Sequence, residues 1–277
     1  MKNKGGVMDY LSRQSAPFDD NLWQQIDETV IQAAKETLVG RRFLPFFGPV
    51  GPGLNETAIC SPQKEEIFKD GFSVMKGRQL ARVPQLYEDF QLYWRDLEDS
   101  RRQGFPADLS AARIAAQNLA RREDQMIFHG VKSLALDGLL TVPGNDTQEL
   151  GDWNTGENAF LSVVRGVSAL NRKGRFGKHC LVVSSDLLVA LHRLQPGTGV
   201  LELDRVKSLV GGRLFTCNVL EGNTAVLICA QPQYLDLMVG LDISAAYTEL
   251  ADLNHHLRVL ETAILRVKSP DAIVIFK

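Results

Sequence analysis

The 277-residue chain lacks any run of about twenty apolar residues, the length a bilayer-spanning helix requires, so no membrane span is expected. It has little cysteine. Cys60, Cys180, Cys217 and Cys229 are scattered and form no C-x-x-C pair, so the spacing encodes neither a disulfide framework nor a thiolate metal site. Neither charge is in excess: 31 lysines and arginines against 33 aspartates and glutamates leave a formal charge of −2. Without a global basic field, a dedicated nucleic-acid binder is not expected. The start, Met1-Lys2-Asn3-Lys4-Gly5-Gly6, has no apolar secretory core. A reducing, cytoplasmic setting with free thiols is therefore expected, Cys180 and Cys229 serving as small core residues inside apolar runs. Met8 can also serve as a start, and residues 1–7 are set aside.

Compact catalytic signatures are missing too. There is no G-x-x-x-x-G-K-S/T phosphate loop, no G-x-G-x-x-G turn, no G-x-S-x-G elbow and no H-E-x-x-H pair. His255 and His256 are adjacent in an expected strand and so face opposite sides, which forbids one shared metal. His129, His179 and His192 stand alone in sequence. No catalytic residue, metal or cofactor is expected, and an active site would have to be assembled from isolated side chains.

What is present is an ordinary folded composition, 44% apolar and 23% charged, long enough for one large domain or two modest ones. The spacing of Trp23, Ile26, Val30, Ala33, Ala34 and Leu38 predicts an amphipathic helix over about 20–39, capped by Asp19 or Asp20 and ended by Gly40. Pro45, Gly48-Pro49 and Gly51-Pro52-Gly53 then mark a crossover. Residues 54–93 read as extended, with Pro84 breaking the ladder. Having no hydrophobic centre of its own, this stretch is expected as a ribbon buried by something else. Arg95, Asp96, Glu98, Asp99, Arg101 and Arg102 form a dense charge cluster, either a solvated face or a subunit contact. A long helix follows Pro106-Ala107-Asp108, with Leu109, Ala112, Ala116, Leu119, Glu123 and Met126 on one stripe and Gly130 as its stop. From residue 150 the pattern becomes mixed. Helices are predicted at 156–171, 185–194 and 202–210. Strands are predicted at 180–183, 213–218, 224–230, 235–239, 244–249, 257–265 and 272–276. The class is α+β.

Several blocks in order then resemble the encapsulins, the shell proteins of prokaryotic nanocompartments. They are Ala16-Pro17, Trp23-Gln24-Gln25-Ile26-Asp27, Leu38-Val39-Gly40-Arg41-Arg42-Phe43, Trp94-Arg95-Asp96-Leu97-Glu98-Asp99, Pro106-Ala107-Asp108-Leu109-Ser110, Glu123 through Gly130, and Ser269 through Ile275. The resemblance covers residues 8–277 and implies the Hong Kong 97-type phage capsid fold. It divides the chain into an N-terminal helix and the start of a peripheral domain (8–49), an extended loop (50–93), a peripheral domain with a spine helix (94–140), an axial domain (141–231) and peripheral C-terminal strands (232–277). It implies a closed icosahedral homo-oligomer of about sixty copies. The cargo is expected to be a dye-decolourising peroxidase or a ferritin-like protein held by its C-terminal targeting peptide. By position, the resemblance puts peptide docking on Ile31, Ala34, Leu38 and Arg41, with Leu241 and Ile243 opposite. It puts the five-fold pore loop at His192, Arg193, Gln195, Pro196, Gly197, Thr198 and Gly199, a tip too neutral for charge filtering. Trp94 aligns with a tryptophan of some relatives, but nothing else implies a bound cofactor. The alternatives are a phage or prophage capsid protein and, remotely, a soluble hydrolase.

Overall fold

The computed structural model describes residues 9–59, 64–77, 79–195 and 197–277, so Cys60 and Pro196 lie outside the described residues. In chain order the elements are α1 (Asp20–Thr37), α2 (Gly40–Phe43), β1 (Phe46–Phe47), β2 (Glu56–Ala58), β3 (Lys64–Ile67), β4 (Ser73–Lys76), β5 (Leu80–Arg82), β6 (Gln85–Leu92), α3 (Trp94–Gln103) and α4 (Ser110–His129). They continue with β7 (Asp146–Gln148), α5 (Asn158–Arg172), β8 (His179–Val183), α6 (Ser185–Leu191), α7 (Glu202–Leu209) and β9 (Leu214–Thr216). The last are β10 (Ala225–Cys229), β11 (Leu235–Val239), β12 (Ser244–Ala251), β13 (Asn254–Val267) and β14 (Ile273–Phe276). Two compact units share these elements.

The first unit holds the chain through Leu38, Pro84–Glu123 and Gly240–Ala263. Its α1 forms because Asp19 accepts the Leu22 N–H and because Trp23, Ile26, Val30, Ala33 and Ala34 make one buried stripe. In the sheet, β13 pairs antiparallel with β6 on one side and β12 on the other. Arg258 on β13 faces Asp89 on β6 and grips its carboxylate at 2.6 and 2.9 Å. The segment before α1 is tied down by Arg13. Its guanidinium forks onto Asp27 at 2.7 and 2.6 Å, donates to the Ala245 carbonyl at 3.0 Å and covers the Trp23 ring. Phe18 packs edge-on to His255 at 4.8 Å, with Tyr247 and Trp23 beside it. The first part of α4 buries Ala112, Ala115, Ala116, Leu119 and Ala120, small residues that permit close approach.

The second unit holds Val39–Val83, Asp124–Val239 and Ile264–Lys277. Its main sheet runs β7-β14-β10-β8-β9. All of β10 and β14 is buried, as the unbroken apolar runs require of strands covered on both faces. Its core joins Trp153, Leu170, Leu181, Leu187, Leu227 and Phe276. Gly166 on α5 lets the helix lie against that core, since a Cβ there would sit 2.6 Å from Phe276 and 2.8 Å from Leu227. The expected strand order along the chain is met, but helix α6 ends at Leu191, short of 194.

Gly40 does not end the first helix. That helix stops at Thr37, the Leu38 N–H closing on the Ala34 carbonyl at 2.8 Å. Gly40 instead opens α2, because the Asp124 carboxylate accepts the N–H groups of Val39 at 3.0 Å and Gly40 at 2.8 Å. Asp124 is 3% exposed, so buried charge on α4 is not confined to Glu123, the one carboxylate expected there. The ribbon is two antiparallel pairs, β2 with β5 and β3 with β4. Every residue of β4 is exposed, and Ile67 and Phe72 are 77% and 69% exposed. Pro84 falls between β5 and β6, where it interrupts the ladder as expected.

Candidate docking surface and pore loop

The docking candidates fall into three classes. Ile31 is on the outer side of α1, 42% exposed. It lies in a shallow hollow of about 530 Å³ with Glu28, Gln32, Lys35 and Glu36. Ala34 and Leu38 face inward and pack with Ala120 and Ile243. Leu241 and Ile243 are half-buried. Leu241 exchanges hydrogen bonds with Thr262, its N–H donating to Oγ1 at 2.7 Å and its carbonyl accepting at 3.0 Å. The first unit therefore brings Ala34, Leu38 and Ile243 together, with Ile31 one turn away on the solvent side. Arg41 belongs to the second unit, half-buried, with its guanidinium 5.7 Å from the Phe46 ring centre.

The loop candidates lie between α6 and α7. Ser184 caps α6 through the Leu187 N–H. His192 is exposed, its Nδ1 2.8 Å from the Leu188 carbonyl. The loop folds on itself: the Gln195 N–H donates to the Val200 carbonyl at 2.9 Å, the Thr198 N–H to the Gln195 carbonyl at 3.2 Å, and the Glu202 N–H to the Arg193 carbonyl at 3.0 Å. Gly197 and Gly199 take φ of 79° and 67°, the left-handed region glycine enters without a Cβ penalty. The described tip residues Gly197, Thr198 and Gly199 are uncharged. Arg193 is half-buried and donates to the Gly156 carbonyl. Gln195 is 8% exposed. Oriented with its nitrogen inward, its amide donates to the Gly156 carbonyl and to Glu202, each at 3.2 Å.

Glu202 anchors this loop and was not among the sequence candidates. It is fully buried, accepting the Phe160 N–H at 3.2 Å and an Arg205 N–H at 3.3 Å. Its only sequence signal was a place four residues before Val206, the other buried residue of α7.

The three described cysteines are held in the protonated form. Burial pushes the thiols of Cys180 and Cys217 up to about 12 and raises Cys229 as well. Burial also lowers His179 and His255. Among the described residues, no three His, Cys, Asp or Glu side chains stand together as metal ligands, and no helix is long and apolar enough to cross a membrane.

Residues 8–264 match the family model for an encapsulating protein for peroxidase. The type 1 encapsulin shell protein EncA of Myxococcus xanthus is 37% identical over 96% of this chain and 95% of its own length. A ferritin-like–encapsulin shell fusion protein of Pyrococcus furiosus is 24% identical over 76% of this chain and 56% of its own. Among solved structures, a virus-like particle from Pyrococcus furiosus superposes with a TM-score of 0.75 at 18% identity, covering 92% of this chain and 99% of that one. The capsid of the myophage XM1 superposes at 0.60 with 10% identity, covering 85% and 90%. The architecture is thus the Hong Kong 97-type capsid fold, and the chain belongs to the encapsulin shell-protein family.

Proposed function

We propose that about sixty copies of this chain close into an icosahedral shell around a cargo enzyme, a dye-decolourising peroxidase or a ferritin-like protein. Closed point-group symmetry gives such a shell in multiples of sixty. The observation that carries the reading is the near full-length identity to a shell protein, 37% over 96% of the chain. The peroxidase in the family's description and the ferritin-like fusion support the cargo classes. In this reading the peripheral and axial domains follow the boundaries given above, but the extended loop stops before β6, whose Leu86, Phe90 and Leu92 are buried and which pairs with β13 in the first unit. The loop at 192–199 edges a small neutral pore through which substrates or ions pass.

The cargo's C-terminal peptide lies along α1. Ile31 is the apolar side chain of the set that projects furthest, with Leu241 and Ile243 half available, while Ala34 and Leu38 form the floor and Arg41 follows in the chain. Fully burying an isoleucine contributes about 1.5–3 kcal/mol. With 42% of Ile31 still exposed, its share is about 0.6–1.3 kcal/mol, a roughly three- to ninefold effect per site. Many sites on one wall multiply the occupancy. Coexpression with a fluorescent reporter bearing the C-terminal tail of the host's peroxidase or ferritin-like protein tests this. Intact particles should retain the reporter, and Ile31→Glu should lower loading without loss of particles. Equal loading by Ile31→Glu would refute this placement of the peptide.

The rival reading, a phage capsid subunit, shares the fold. The family model over residues 8–264 and the near full-length shell relative favour the encapsulin reading.

A further inference from the structure

The loop between α6 and α7 has little packing of its own. From His192 to Leu201, Gln195 is the one buried residue among those described. Leu194 and Val200, on either side of the tip, are 63% and 43% exposed. Apolar burial therefore does not fix where this segment lies, and its polar contacts must. Those contacts converge on Gln195. Its amide donates to the Gly156 carbonyl and to the Glu202 carboxylate, each at 3.2 Å, and the reverse orientation would set its oxygen against the same two acceptors. Arg193 adds a donor to the Gly156 carbonyl from a half-buried position. Glu202 is itself held: it accepts the Phe160 N–H at 3.2 Å and the Arg205 guanidinium at 3.3 Å. Arg205 in turn reaches Glu157 at 3.0 Å and lies 4.5 Å from the Phe160 ring centre. The loop is thus fastened, through one buried amide, to a fixed frame at the start of α5.

An opening is narrowed either by side chains that reach into it or by where its backbone lies. The described tip residues, Gly197, Thr198 and Gly199, are short and uncharged, so the backbone sets the width. Its position depends on the fastening behind it. Resting on the shell and pore reading above, we propose that Gln195 is the positioning residue of the pore: by holding the tip to Glu202 and Gly156 it fixes the aperture, and with it the largest molecule that passes.

Gln195→Ala removes the fastener and leaves Glu202 its contacts to Phe160 and Arg205. Losing two hydrogen bonds should make the released loop about fivefold or more populated. In empty particles the amides of 197–202 should therefore exchange about fivefold or more faster than in the wild type, and those of β10 at an unchanged rate. In particles holding a coexpressed peroxidase, kcat/KM for a bulky anthraquinone dye should rise by a similar factor, while that for a small phenol stays the same. A merely structural lesion would not discriminate by substrate size. Thr198→Trp, which places a large side chain at the tip, tests the pore reading separately and should lower dye oxidation. If it does so while Gln195→Ala leaves dye oxidation or loop exchange at the wild-type level, the inference is overturned and the pore reading stands. If neither variant changes dye oxidation, or the chain forms no particles, both fall.

Discussion

Asp124→Ala removes a contact on which the local structure after α1 depends. The carboxylate is 3% exposed and holds two backbone donors, the Val39 and Gly40 N–H groups, at 3.0 and 2.8 Å. Each buried donor left without a partner costs about 1–3 kcal/mol, so the variant should lose about 2–6 kcal/mol. Asp124→Asn keeps Oδ1 as acceptor for Gly40 at 2.8 Å and, more weakly, for Val39 at 3.3 Å, and turns an amide toward Val39 in place of Oδ2, so the loss should be less than half that of alanine. Urea unfolding followed by circular dichroism reads both. With an m-value of ~3 kcal/mol/M, the midpoint should fall by about 0.7–2 M for alanine and by less for asparagine, with m unchanged. A shift below about 0.3 M for alanine would refute the reasoning. Equal damage from both substitutions would show that the charge, not the capping geometry, matters.

Other consequences follow from single residues. His255, lowered by burial against Phe18 and Tyr247, binds its proton less readily folded than unfolded. Stability should therefore rise with pH from its lowered value to about 6.5 and be flat above, and a His255→Phe chain should lose part of that slope in unfolding curves. Gly166→Ala adds a Cβ at 2.6 and 2.8 Å from two fully buried side chains. Overpacking of about 1–3 kcal/mol should outweigh the ~1 kcal/mol gain in helix propensity, giving a lower melting temperature. The thiols of Cys180 and Cys217, raised to about 12, should resist alkylation at pH 8 until the chain is unfolded, and rapid labelling of either would contradict their burial.

The parts of the fold legible in sequence are those set by local periodicity. The α1 stripe, the α4 stripe with its Gly130 stop, and the apolar runs of β8, β10 and β14 all report burial at helix or strand spacing. Helix α3 carries no apolar stripe, and its signals were only the three-residue spacing of Glu98–Arg101 and Asp99–Arg102 and the Gly104 stop. Gly40 was misread because its cap comes from Asp124, a partner too distant in sequence for any local pattern. The docking set shows a related limit. A periodic stripe identifies what is buried, so Ala34 and Leu38 belong to the core by the same pattern that selected them, while Ile31 lies off that stripe. The loop's inner anchors, Gln195 and Glu202, depend on Gly156 and Phe160 some forty residues earlier, a meeting only the folded chain makes.

A shell built from copies of this chain should form without any other component. Expressing the chain alone and examining it by electron microscopy with size-exclusion chromatography is the most direct test. Uniform hollow particles with icosahedral symmetry should form, eluting far ahead of a 30.7 kDa standard. A clean monomer or dimer would contradict it.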